Sequence, residues 1–408
     1  MRVALALALA LVVAAPASAV KRRAFVTSVS GNGNLNSWAD SGGLFGVAAG
    51  DNICRVRAAA GGLPNPTAYR AWLSSAATDA YCHVQGQTGK KDTGCVGTAE
   101  PAGPWYRYDG VGRFSGTLDE LTGPEQRIYQ PIRYDEFGTP LYGGFDSYWT
   151  GTLRDGRVSA DTCGSWVIGS AGSEGRGGVP ERTSDHWTNG LLDICAVEVR
   201  LLCFEGGESE VTPVPWVPAA LVFTTSATGP GDLSSWPEAS FIGAAAGDAI
   251  CRNLAAAAHL PSSNTFVAWI STQTTDAADR VTLDSTPFRR VDGFRLADSK
   301  SDLLANGADN TLHVDEAGRY LSSATVRTGT RGDGTASTQN CNGWHSSLAN
   351  DQATRGLGNA AYGENWTEDV GVSCSAGLRL YCFSNREVLF WDGFDLSENT
   401  ERWSAVAP

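Results

Sequence analysis

The feature that most constrains this chain is that it carries one long passage twice. Gly46 to Ser75 reads GVAAGDNICRVRAAAGGLPNPTAYRAWLSS, and Gly243 to Thr272 reads GAAAGDAICRNLAAAAHLPSSNTFVAWIST. Each copy predicts an Ala-rich helix with one cysteine, a break at Gly or Pro, and a short strand centred on Ala-Trp. The matches extend outward. Phe25 answers Phe223, Trp38 answers Trp236, Trp72 answers Trp269 and Asp79 answers Asp276. Thr150-Gly151-Thr152 matches Thr328-Gly329-Thr330, and Trp166 and Trp187 match Trp344 and Trp366. Leu201-Leu202-Cys203-Phe204 closes the first copy as Leu380-Tyr381-Cys382-Phe383 closes the second, the offset falling from 198 to 179. This is duplication of a domain of roughly 170 residues rather than a solenoid period.

The expected division is a domain at 24–205, an acidic Pro-rich exposed linker at 206–219, a second domain at 220–385 and a tail at 386–408. Residues 1–19 read as a secretory signal, with Arg2, an apolar Ala/Leu/Val run and Ala17-Ser18-Ala19 for cleavage. No later apolar stretch is long enough to span a bilayer. The expected product is secreted, extracellular or on the cell surface. Its formal charge of −13 argues against nucleic acid and favours neutral ligands, basic partners or divalent cations.

Ten cysteines fit that address. Cys54, Cys163, Cys195 and Cys203 correspond to Cys251, Cys341, Cys374 and Cys382; Cys82 and Cys95 occur only in the first half, which predicts that they bond to each other. Read as one extended strand, Cys195 and Cys203 lie roughly 26 Å apart, too far to bridge. Two pairings remain in each half. An inward-facing Cys203 favours Cys54–Cys203 around Cys163–Cys195, and likewise Cys251–Cys382 around Cys341–Cys374.

Within each half, Ile53, Val56 and Ala60, with Cys54 beside them, predict one apolar helix face. Gly61-Gly62 and Pro261 are the expected helix stops. Asp119-Glu120-Leu121 and Asp302-Leu303-Leu304 predict short second helices. The closing strand alternates, with Val197, Val199, Leu201 and Cys203 facing inward, as do Ala376, Leu378, Leu380 and Cys382 in the second copy.

These pieces together resemble endostatin, the collagen-derived variant of the C-type lectin fold. They are Gly50-Asp51 to Cys54, Arg70-Ala71-Trp72-Leu73-Ser74-Ser75, Cys163 to Trp166, and Cys195 to Cys203. A bacterial family of exported domains of unknown function, known from spirochaete surface proteins, is similar in the same motifs. The resemblance implies an α+β fold of two tandem C-type lectin-like, endostatin-like domains. Endostatin's zinc histidines have no counterpart in residues 20–53, and the acidic chain argues against its heparin-binding face. The calcium and sugar triplets of C-type lectins are absent. Their nearest echoes are His186-Trp187-Thr188-Asn189 and Asn365-Trp366-Thr367-Glu368-Asp369; in the second, Glu364, Asn365, Glu368 and Asp369 are the candidate calcium donors.

No catalytic residue is assigned. The five histidines, His83, His186, His259, His313 and His345, are unmatched between halves, and no HExxH, GxSxG or P-loop pattern occurs. Asp109-Gly110, Asp155-Gly156, Asp292-Gly293 and Asp333-Gly334 read as turns, and Arg331-Gly332-Asp333 as a coincidental tripeptide. The ligand-binding candidates are the ring-rich loops of the first half: Trp105, Tyr106 and Tyr108, then Tyr142, Tyr148 and Trp149. The tail from Phe390, with Trp391-Asp392-Gly393-Phe394-Asp395 and Trp403-Ser404, resembles a surface-sorting ending of exported bacterial proteins. The expected function is a non-enzymatic binding or adhesion protein that engages a glycan or an extracellular protein through loops. The alternatives are a structural envelope component, and a carbohydrate-active enzyme with Asp135 and Asp155 as its best carboxylates.

Overall fold

The computed structural model describes residues 20–142 and 146–390. The leader at 1–19, the loop 143–145 and the tail motif from Trp391 lie outside the described residues. The chain is a mixed α+β fold of short helices, several sheets and five disulfides.

Both halves are organised around their closing strand. Arg200–Glu205 lies in an eight-stranded sheet, antiparallel to the opening strand Arg22–Val26 and to Tyr69–Ala71, and parallel to Tyr148–Trp149. In the second half Tyr381–Val388 lies between Ala219–Thr224 and Phe266–Ala268 in a five-stranded sheet, beside a three-stranded sheet. The registers agree: Cys203 faces Phe25 and Ala71, and Cys382 faces Phe223 and Ala268.

The repeated Gly-Asp couples helix to strand. Gly46–Ala60 and Gly243–Ala257 are helices of 15 residues. A Cβ on Gly50 would sit 2.7 Å from Leu73 Cδ1 and 3.1 Å from the Ala71 methyl; on Gly247 it would sit 2.9 Å from Ile270 Cδ1 and 3.1 Å from Ala268. The missing side chain lets the backbones approach. The next residue then satisfies a strand donor: Asp51 accepts from the Ala71 N–H and Asp248 from the Ala268 N–H, each at 2.9 Å. This close approach sets which face is buried. Ala49, Gly50, Ile53, Cys54 and Ala58 face the sheet, whereas Val56 and Ala60 are exposed, correcting the apolar face expected from spacing. The second helix also stops before Pro261. It ends at Ala257, and His259, at φ 55°, takes the left-handed position that Gly62 fills in the first half.

The disulfides are Cys54–Cys203, Cys163–Cys195, Cys251–Cys382, Cys341–Cys374 and Cys82–Cys95. The premise used to exclude Cys195–Cys203 needs correction. Those cysteines do not share one strand, because Leu191–Ile194 ends at a turn before Arg200–Glu205 begins. Nor does the closing strand alternate between inside and outside. Leu201 and Cys203 meet the helix, while Leu202 and Phe204 are equally buried in a second core on the other face of the sheet. Trp72 and Trp187 fill that second core with ring centroids 5.1 Å apart; Trp269 and Trp366 do the same at 5.2 Å. The Thr-Gly-Thr repeat is its polar brace. Thr150 Oγ1 donates to Thr188 O and Thr328 Oγ1 to Thr367 O, both at 2.6 Å, and Trp72 Nε1 and Trp269 Nε1 donate to the Thr188 and Thr367 hydroxyls.

The halves are joined by more than a linker. Tyr129 of the first half packs in the second half's core, stacked on Phe294 at 5.1 Å and edge-on to Tyr320 at 5.6 Å. Arg290 donates to Tyr129 O at 2.8 Å, Thr183 Oγ1 to Thr311 Oγ1 at 3.1 Å, and the Ala361 N–H to Glu181 O at 3.1 Å. The connection expected to be an exposed spacer is itself packed down. Gly207–Glu208 pairs with Ala102–Gly103 of the first half, while Val214 and Trp216 pack on the second half's core and Trp216 Nε1 donates to Val388 O. Val214 and Trp216 are partly covered in this way, whereas Val211 and Val217 stay exposed.

His313 lies buried at this junction, its Nδ1 2.8 Å from Thr311 Oγ1, with Tyr320, Arg290 and Asp292 around it. Burial, helped by Arg290, pushes its pKa down to about 3. The unfolded chain therefore takes up a proton near pH 6.5 that the folded chain refuses until far lower pH. Stability from this group is full above that range and drains as pH falls through it. Denaturant unfolding at pH 7 and pH 4 should show a loss on the order of several kcal/mol, and His313→Gln should flatten the dependence. An unchanged slope in the variant refutes the assignment.

Candidate functional site

The ring-rich loops do not form the exposed surface expected of them. Trp105, Tyr148 and Trp149 are fully buried, and Tyr106 is 2% exposed. Each has a packing or hydrogen-bonding reason to be inside. Trp105 stands edge-on to Phe204 and donates to Glu205 O, Tyr148 donates to Trp187 O, and Trp149 packs on Trp166 beside the Cys163–Cys195 bridge. Tyr108 is half-buried against Tyr134. Only Tyr142 is well exposed, at 51%, its ring 5.7 Å from Tyr362 across the junction.

The carboxylates singled out by the sequence also have structural duties. Asp109, Asp155 and Asp333 accept main-chain N–H groups inside their own turns, as does the buried Asp135, from Phe137 and Thr139. Asp155 additionally pairs with Arg157. Of the calcium candidates, Asp369 pairs with Arg355 at 2.7 Å and Glu368 accepts the Gly332 N–H at 2.7 Å. Glu364 O accepts from the Thr367 and Glu368 N–H groups, and Asn365 O from the Leu357 N–H. Among the described residues no group of three His, Cys, Asp or Glu side chains is placed to hold a metal ion.

One concave feature lies between the halves. A cleft of about 900 Å³ is lined by Lys21, Tyr106, Arg107, Asp109–Arg113, Gln130, Arg133 and Tyr134 from the first half, Thr212–Pro215 from the connection, and Arg289, Phe294, Arg295, Asp309, Asn310 and Tyr362 from the second; Tyr108 does not line it. The Trp105–Tyr108 motif thus reaches a candidate site after all, but through the rim of Tyr106 and through Arg107. Its charge is opposite to that of the chain. Lys21, Arg107, Arg113, Arg133, Arg289 and Arg295 face only two lining carboxylates, Asp109 and Asp309. Arg295 pairs with Asp309, and Asp109 is occupied in its turn.

Two arginines are set deep. Arg107 is 8% exposed and donates to Pro131 O and Asn310 Oδ1; burial lowers its pKa to about 10. Arg133 is 5% exposed, donates from Nη2 to Tyr134 Oη, and has Tyr362 stacked on its guanidinium at 3.0 Å. Its Nε and Nη1 are buried without a hydrogen-bond partner among the described residues. Burial lowers its pKa as well. At the mouth, Lys21 donates to Tyr106 Oη and to Thr212. Burial alone would raise the Tyr106 phenol, but the Thr212 and Lys21 contacts hold it below its ordinary value.

Sequence reasoning missed Arg133, Arg289, Arg295 and Tyr362, which stand far apart in the chain and have no common motif. The one available signal was Arg107 set among aromatic residues. Compared with protein-family models and with curated proteins, the chain matches none.

Proposed function

We propose that this protein is an exported, non-enzymatic binding protein whose two halves are C-type lectin-like, endostatin-like domains, and that it holds a glycan in the cleft between them. The observation that carries this reading is the cleft itself, built jointly by both halves and the connection and edged with tyrosines. Its volume suits a short saccharide segment, whereas a stable protein partner ordinarily needs a broad, flatter surface. Tyr134 and Tyr362 offer ring faces and edges for sugar C–H groups, and the arginines offer donors for hydroxyls. The five disulfides fit the oxidising space outside the cell.

A glycan array probed with the purified protein tests this. Binding is expected to a subset of saccharides, lost by about tenfold or more when Tyr134 and Tyr362 are both replaced by alanine. Absence of any bound saccharide, or steady breakdown of the one bound, overturns the reading.

A further inference from the structure

We infer that the cleft between the halves is the docking site of the chain's own acidic tail, residues 391–408, which any other ligand must displace. This contact does not depend on what that ligand is, so it stands apart from the glycan-binding reading.

Three observations support it. The first is where the closing strand leaves the fold. Val388 shares an apolar cluster with Phe294, Val214 of the connection packs on that cluster, and both Phe294 and Val214 line the cleft. Trp216 Nε1 donates to Val388 O, which holds the strand's end against the connection. Leu389 and Phe390 follow, each 73% exposed. The 18 residues at 391–408 can reach up to roughly 60 Å when extended, ample for a cleft that opens beside their point of departure. The second observation is charge. The tail carries Asp392, Asp395, Glu398 and Glu401 against Arg402 alone. A chain of −13 repels such a segment over most of its surface. Within the cleft, Arg295 is taken by Asp298 and Asp309, and Lys21 by Tyr106, Thr212 and Glu210 O. The first-half wall differs. Arg107 donates only to neutral oxygens, Pro131 O and Asn310 Oδ1, and Arg133 has no carboxylate partner among the described residues. The third observation is the state of Arg133. It is 5% exposed, with Nε and Nη1 buried and without hydrogen-bond partners, which is costly for a guanidinium. Tyr362 covers it, and that bulky residue is held at φ 66°, in the left-handed region. Moving the ring relieves backbone strain and opens the guanidinium to a carboxylate, whose two oxygens match its paired N–H groups. Tethering places the tail at an effective concentration of about a millimolar, so a modest contact keeps it seated.

Titration calorimetry with full-length chains tests it, the probe being a synthetic peptide of residues 389–408. One host is the wild-type chain. The other carries Asp392→Asn, Asp395→Asn, Glu398→Gln and Glu401→Gln, changes confined to the tail. The peptide is expected to bind the second host at least about tenfold more tightly than the first, whose own tail competes. A peptide with the same four amides should lose about tenfold in affinity for that host. Arg133→Gln in the second host should abolish binding. Since Arg133 is buried and that variant can lose its fold, the full chain with Phe394→p-benzoylphenylalanine gives a second readout. Irradiation should crosslink the tail to the cleft wall of the same molecule, within 106–113, 130–134 or 212–215. Equal peptide affinity for both hosts, binding to neither, or crosslinks that fall outside the cleft or join two copies overturns the proposal.

Discussion

Replacing Cys54 and Cys203 together by alanine is expected to produce the largest loss of stability of any change considered for this chain. The bridge closes a loop with a sequence separation of 149. In the chain-entropy account, releasing a loop of that length frees the unfolded ensemble by about 5 kcal/mol. Little else compensates locally. The bridge ties the only long helix among the described residues of the first half to its closing strand, and both cysteines are fully buried between them. Cys251–Cys382, with a separation of 131, should cost about the same, whereas Cys82–Cys95, with a separation of 13, should cost about 3 kcal/mol. Guanidinium unfolding followed by tryptophan fluorescence measures each value. A loss below about 1 kcal/mol for the Cys54–Cys203 pair contradicts the claim that this staple holds the half together.

Arg290→Ala is expected to be the most damaging single substitution at the junction. Arg290 is 1% exposed, donates to Tyr129 O and Thr311 O, and pairs with Asp292 at 2.6 Å. Burial alone would raise the Asp292 carboxyl; the Arg290 charge outweighs it and holds that pKa below the usual range. Truncating Arg290 leaves Asp292 buried with the Tyr320 hydroxyl as its remaining strong donor, and strips two main-chain carbonyls of theirs. Removing one partner of a buried pair costs about 3–5 kcal/mol. Because Tyr129 belongs to the other half, the loss should also loosen the junction. Unfolding should separate into two transitions, and proteolysis in 206–219 should accelerate. Wild-type stability with one unchanged transition defeats the view that the halves act as a coupled unit.

What was legible beforehand follows from what repeats locally. Two copies of Gly-Asp, Ala-Trp, Thr-Gly-Thr and the late Trp marked matching pieces, and the structure gives each pair the same partner in its half. The cysteine pairing was also within reach, although through a strand that turned out to be broken at Cys195. Burial was much harder to read. Trp105 and Trp149 lie among glycines and polar residues, the usual company of an exposed loop, yet short strands carry them into the core. Val56 was misplaced because helical spacing leaves several faces open, and the contact of Gly50 with Ala71 chose among them.

The sequence by itself determined the mixed α+β class, the duplicated plan and the disulfide framework, because each depends on short-range spacing or on symmetry between copies. The junction and its cationic cleft were decided only by the tertiary structure. Lys21, Arg107, Arg133, Arg289 and Arg295 share no motif and become neighbours only when Tyr129 enters the opposite core and the connection folds down between the halves. Charge summed along a chain records its total, whereas an electrostatic site depends on distances that exist only after folding.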